Sequence, residues 1–328
     1  MRRALLSMAM LIALSGCGSE PARDLPPAAE PPTSPPIAAA PAGHVIKVGH
    51  GAEGVAADPV TGRVAVALRR PARLAILDGR SGRVIRVLPL PGAARHLTLA
   101  APGGPLLVPA EDADRLIAVD LRNARVLSSA RAGHQPHDAA GVAGRWFVGD
   151  ELGARVSVVT RGRTTASFRV ATQPGGLAPL AGRLAVVSVR RRVLEIYDAR
   201  TYARVAIANA GVGPTHIACL PDGPCLVADT RGNALLRFVL RPHLELVRSQ
   251  YLPGGPYGMA LDPARDRLWV TLPAKNQVVE LPARAHPHVL RRFPTVRQPN
   301  SVAVDERTGR VFITGRTDGE LEWFDPGR

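Results

Sequence analysis

Apolar and polar positions alternate in short bursts along most of the chain, and the bursts return at an even interval. A turn with Gly or Pro leads into a few alternating residues, a second turn follows, and a second apolar run begins. The phrase stands at Gly54-Val55-Ala56-Ala57-Asp58, His96-Leu97-Thr98-Leu99, His137-Asp138-Ala139-Ala140 and Gly176-Leu177-Ala178-Pro179. It returns at His216-Ile217-Ala218-Cys219, Gly258-Met259-Ala260-Leu261-Asp262 and Ser301-Val302-Ala303-Val304-Asp305. The first residues of these copies are 42, 41, 39, 40, 42 and 43 apart. So even a period marks a repeat architecture. Alternation of period two between turn signals predicts strands rather than helices.

Each copy has room for four short strands, named a to d in chain order. In the last copy, strand a is 301–305, strand b is 310–314 and strand c is 320–324. Further c strands are read at 73–77, 116–119, 193–197 and 277–281, and d strands at 84–88 and 126–129. Asp78, Asp120, Asp198 and Asp325 each end a c strand. An Asp there caps a tight turn through its own side chain. About 41 residues and four strands per unit predict an all-β, seven-bladed β-propeller over residues 44–328. The seventh copy stops after strand c, and the orphan strand His44-Val45-Ile46-Lys47-Val48 precedes the first copy. That N-terminal strand is expected to supply the missing outer strand of the last blade and remove an open edge.

The segment before the repeats reads as an address. Arg2 and Arg3 precede an apolar run over 4–14, too short to span a bilayer. Leu14-Ser15-Gly16-Cys17 follows and resembles a bacterial lipobox, which implies a signal peptide over 1–16 and a lipidated Cys17. Residues 17–43 are rich in Pro and Ala, bury too little to fold, and are expected as an extended tether. Fully extended at roughly 3.1 Å per residue, such a tether reaches about 80 Å. The expected location is therefore outside the cell or in the periplasm, on a membrane surface reached through the lipid anchor.

The repeats resemble the YVTN-repeat, YncE-like propellers. The resemblance is carried by the a–b phrase of the last copy, Ser301-Val302-Ala303-Val304-Asp305-Glu306 with Arg310-Val311-Phe312-Ile313-Thr314, and by the Asp-ended c strands. It implies an envelope or periplasmic binding protein, and some YncE-like members bind DNA. Aromatic residues make up 4% of the chain, fewer than the Tyr-rich b strands of that family carry.

In a propeller, strand a lines the central channel and strand b returns to the rim where strand a began. That rule gathers His96, His137 and His216 with Arg95, Glu111, Asp150 and Asp229 as candidate ligand-binding residues at one rim. Gly54, Gly176, Gly258 and Ser301 are small at the same position and are expected to leave space there. Imidazoles with nearby carboxylates suit a divalent metal such as zinc. Two local phrases sharpen this. Gln135-Pro136-His137-Asp138 with Phe147-Val148-Gly149-Asp150, and Thr215-His216-Ile217-Ala218 with Val227-Ala228-Asp229, resemble the zinc-histidine blades of peptidyl-hydroxyglycine amidating lyases. The resemblance implies that His137 and His216 are metal ligands. Arg95-His96-Leu97 with Glu111 is similar to the Arg-His phrase and later Glu of seven-bladed lactonases. That likeness implies that Arg95 holds a carboxylate or oxyanion and Glu111 assists proton transfer.

Other features change the picture less. Cys219 and Cys225 flank one a–b hairpin, where a disulfide and two buried thiols are both open. A formal charge of +15, carried by 42 Lys+Arg against 27 Asp+Glu, attracts polyanions such as DNA or anionic lipid without sequence readout. No Walker-type loop, HExxH or Gly-x-Ser-x-Gly pattern is present. The expected function is that of a cell-envelope lipoprotein whose monomeric propeller acts as a binding or scaffolding module, with a small ligand or an envelope protein as its partner. A metal-dependent lyase or a lactonase is the alternative.

Overall fold

The computed structural model describes residues 25–240 and 242–327. The predicted signal peptide and Cys17 lie outside them. Seven sheets, each of four antiparallel strands, succeed one another along the chain. The first blade is Ala52–Asp58, Arg63–Arg69, Ala72–Asp78 and Val84–Pro89. In every blade the first strand lies inside and the chain steps outward. The last blade is completed by His44–Lys47, which pairs antiparallel with Glu320–Phe324, His44 opposite Trp323 and Lys47 opposite Glu320. Closure by the N-terminal strand is as the orphan strand predicts. Apart from two short 3-10 turns, Glu111–Ala113 and Pro273–Lys275, the described residues contain no helix.

The core lies between blades. Blades 1 and 2 share Leu74, Ile76, Leu106 and Ile117, and blades 7 and 1 share Phe312, Trp323, Val64 and Leu77. Each strand b and c buries both faces against two neighbouring blades, which is why these strands read as nearly continuous apolar runs. Strand d is mostly exposed, and its alternation is correspondingly weak, as in Arg125–Arg131. Three of the predicted Asp caps form alike. Asp78 accepts the N–H groups of Arg80 and Ser81, Asp120 those of Arg122 and Asn123, and Asp198 those of Arg200 and Thr201. Asp325 instead pairs with Arg310 at 2.8 Å.

The proline-rich segment carries no strand or helix over 25–43, and it is seated on the propeller rather than standing off as a tether. Arg190 donates to Leu25 O, and Arg231 to the carbonyls of Pro27 and Ala28. Glu30 reaches Arg95 at 3.7 Å. Ser34 is buried, donating through Oγ to Pro273 O and through N–H to Gln298 Oε1. Asn276 donates to Pro35 O. The segment therefore crosses the rim from blade 4 to blade 7 as a strap, then feeds the closing strand.

Candidate functional site

Strand pairing corrects the alignment of the third repeat. In blade 5, Pro214 pairs with Asp229 and His216 with Ala228, leaving Thr215 bulged out. In blade 3, Pro136 pairs with Asp150 and Asp138 with Gly149, leaving His137 bulged out. Blade 4 repeats this around Gly175, and blade 7 around Asn300. His216 therefore corresponds to Asp138, and His137 corresponds to Thr215. The bulge re-aims a side chain, and the apparent third period of 39 residues hides it.

Two sets of side chains result. Asp138, His216 and Ser301, together with His96, face the channel. His137 sits at the rim with Arg95, Glu53 and Tyr257, under the strap. Its Nδ1 lies 3.0 Å from Glu111 Oε1 and 3.2 Å from Glu151 Oε2. Arg69 bonds Glu111 at 3.0 Å and approaches Glu53 at 3.4 Å. Arg95 lies 3.4 Å from Glu111. The rim is thus an ion-pair network of Glu53, Glu111 and Glu151 with Arg69, Arg95 and His137.

The network sets protonation. Burial opposes charge on His137, but its two carboxylate partners outweigh burial and hold it at about 9. Burial likewise opposes charge on Glu151, and His137 outweighs it, so that Glu151 falls to about 2. His216 is driven down to about 3 by burial and by the charge on His137. His96 is held well below its ordinary value for the same two reasons. Asp138 rises to about 6 because burial outweighs the N–H groups of Leu177 and Ala139 that it accepts. The rings of His96 and His216 stack at 4.8 Å, and Tyr257 meets His216 edge-on at 4.3 Å. His216 Nδ1 is buried without a hydrogen-bond partner.

Asp150 and Asp229 were expected in the ligand site, and the structure places them elsewhere. Asp150 is buried against Ser157 Oγ and the N–H of Gly133. Asp229 accepts the N–H groups of Val212, Gly213 and Gly232. Both brace the connectors that start the inner strands. The glycines leave no space for a ligand either. A Cβ on Gly54 would lie 2.6 Å from Arg95 O, and one on Gly258 2.6 Å from Asn300 O. Glycine there lets neighbouring inner strands approach. Glu53, Glu151, Tyr257 and Asn300 are rim residues that sequence reasoning missed. One signal was available: Glu151 stands 40 residues after Glu111, at the same repeat position.

The residues do not fit a metal. Among the described residues no group of three His, Cys, Asp or Glu side chains is arranged to hold one. The expected ligands His137 and His216 stand at different repeat positions, and His137 Nδ1 is taken up by two carboxylates as an imidazolium. Cys219 and Cys225, opposite one another in the blade 5 hairpin, are disulfide-bonded.

Below the rim the channel opens into a well of about 770 Å³. Its walls are apolar, with Val55, Leu97, Leu177, Ile217, Met259 and Val302. Its inner end carries His96, Asp138, His216, Tyr257 and Asn300. Its mouth, at the a–b turns, is ringed by Pro59, Pro102, Pro179, Pro221 and Pro263. The strap closes the other end: between Ala28, Ala29 and Glu30 and the rim only about 20 Å³ remains. The well is therefore blind, entered from the face opposite the strap.

No protein-family model matches the chain, and no curated protein matches it in sequence. Solved structures do resemble it. A streptogramin B lyase is similar at 13% identity over 86% of this chain and 98% of its own, with a TM-score of 0.72. The virginiamycin B lyase of Staphylococcus aureus is similar at 12% identity over 85% and 98%, TM-score 0.70. The Cps50 (Swd1) β-propeller domain of Myceliophteria thermophila follows at 14% identity over 86% and 99%, TM-score 0.72. At such identities the likeness shows the fold. The fold is a seven-bladed β-propeller. It is shared with proteins named as enzymes and with a propeller domain named for no activity, and it does not choose between them.

Proposed function

We propose that this is an exported, lipid-anchored binding protein whose propeller takes a small, largely apolar ligand into its central well. One observation carries the reading: a blind well of about 770 Å³ with apolar walls and a few polar groups gathered at its inner end. That size and lining suit a small-molecule site. Its inner end supplies neutral imidazoles, amide and hydroxyl groups and the Asp138 carboxylate for hydrogen bonding, and Glu53 and Arg95 of the rim network also reach the well. Lipidation at Cys17 and location at the cell envelope rest on the order of n-region, apolar run and lipobox.

An enzyme is the second reading, favoured by the buried, partnerless Nδ1 of His216 stacked on a neutral His96. With its value at about 3 this imidazole is a weak base, and it would orient a hydroxyl or water inside the well by accepting its hydrogen bond. The lactonase roles for Arg95 and Glu111 have less support, because these two face each other beneath the strap.

The test is uptake of a neutral apolar dye, N-phenyl-1-naphthylamine, followed by its fluorescence. The wild-type chain should bind it, and Ile217→Trp with Met259→Trp, which fills the wall, should weaken binding at least tenfold without loss of fold. Dye binding absent in the wild type, or unchanged by the filled wall, would overturn the reading. Loss of a measured turnover in His216→Ala with dye uptake retained would favour the enzyme.

A further inference from the structure

We propose that the strap-side face of blades 3 to 5 is a docking surface for anionic lipid headgroups. Three observations meet there. The first is where the chain leads. Leu25 is held by Arg190 and the next residues by Arg231, so eight residue steps separate it from Cys17. Fully extended, that length is at most about 29 Å. The strap thus takes up most of the expected tether and delivers the N-terminal end to this face, away from the mouth of the well.

The second is charge. Arg169 and Arg231 are exposed on the turns and connectors of this face, with Arg190 and Arg192 half-buried beside them. The carboxylates of the same turns are turned inward: Asp150 and Asp229 are buried on backbone N–H groups, and Glu151 holds His137. Among the described residues, no exposed carboxylate stands on the strap-side turns of blades 3 to 5. The third is apolar surface. Leu152, Val212 and Tyr251 are 57%, 51% and 70% exposed around the same turns. Arginines interleaved with aliphatic and aromatic side chains suit the headgroup layer, where basic groups meet lipid phosphate and a tyrosine ring sits at the boundary.

The orientation rests on the lipid-anchor reading, but the surface itself does not, and neither depends on a ligand in the well. The experiment uses the chain from residue 17 with Cys17→Ser, free of acyl groups. It is sedimented with vesicles of phosphatidylcholine alone, or of three parts phosphatidylcholine to one part phosphatidylglycerol. Binding is expected to the anionic vesicles only. Arg169→Glu with Arg192→Glu should weaken it about thirtyfold or more. Arg122→Glu with Arg200→Glu, an equal change of charge on the opposite face, should leave it nearly unchanged. Leu152→Asp with Val212→Asp should also weaken it, with melting curves confirming the fold of every variant. Equal losses on both faces would reduce the effect to diffuse charge and overturn the proposal. So would absence of vesicle binding, or binding to duplex DNA without binding to vesicles. Dye uptake by the well is read separately, so failure of one reading is distinguishable from failure of the other.

Discussion

His137 is protonated at neutral pH because Glu111 and Glu151 lie 3.0 and 3.2 Å from its Nδ1. Its raised value, about 9, means that its share of stability is fully present below the unfolded value near 6.5 and is lost as pH rises through about 9. Glu151 runs the other way: its share is present above about 4.5 and lost as pH falls through about 2. The pair therefore contributes most between about pH 4.5 and 6.5. We expect His137→Gln to cost on the order of 3 kcal/mol near pH 6 and much less above pH 9. Urea melts at both pH values check this, and a cost independent of pH would show that His137 is neutral. The ion pairs were only partly legible in the sequence. Glu111 and His137 could be assigned to the rim. Their pairing depends on a bulge, a one-residue offset that alternation cannot reveal because the inner strand keeps the same pattern after it.

The strap shows the limits of composition for a whole element. Residues 25–43 bury only Ala29 and Ser34, which agrees with a sequence too poor in large apolar groups to fold by itself. What holds it is a row of side chains on the propeller that bond its backbone. Gln298 donates to Pro32 O and accepts from Ser34 N–H, while Asn276 donates to Pro35 O. Gln, Asn and Arg on loops read simply as solvated surface, so no local pattern announces these contacts. Ser34→Ala would remove the bonds of Ser34 Oγ to Pro273 O and from Gln298 N–H, leaving each of those groups with Asn276 as its partner. A cost of about 0.5–1.5 kcal/mol is expected, falling on the strap rather than on the ring. Proteolysis within 25–43 should accelerate while the melting temperature of the propeller moves little. An unchanged cleavage rate would mean that the strap is held without Ser34.

For the molecule as a whole, the ring was the most legible feature, because seven copies at one period with a strand missing at the end and a spare one at the start have few other solutions. The central well was not legible. The glycines of the inner strands suggested open space, whereas they bring neighbouring backbones together, and the cavity lies further along the strands between aliphatic walls. Closure also makes a prediction. Deleting residues 25–47 would bare the edge of Glu320–Phe324, whose N–H and C=O groups pair with the closing strand. An uncovered edge recruits other strands, so the shortened chain should form concentration-dependent oligomers in size-exclusion chromatography. A stable monomer would show that closure is dispensable.

The two halves of the closing sheet are also far apart in time. His44 and its partner Trp323 are 279 residues apart, so the closing strand must wait for a partner made much later. The entropy of joining such distant segments grows only slowly with separation, but the contact cannot begin to form until Glu320–Phe324 has been made. A chain that stops short of Glu320 would leave the last blade unfinished and His44–Lys47 without the strand it pairs with.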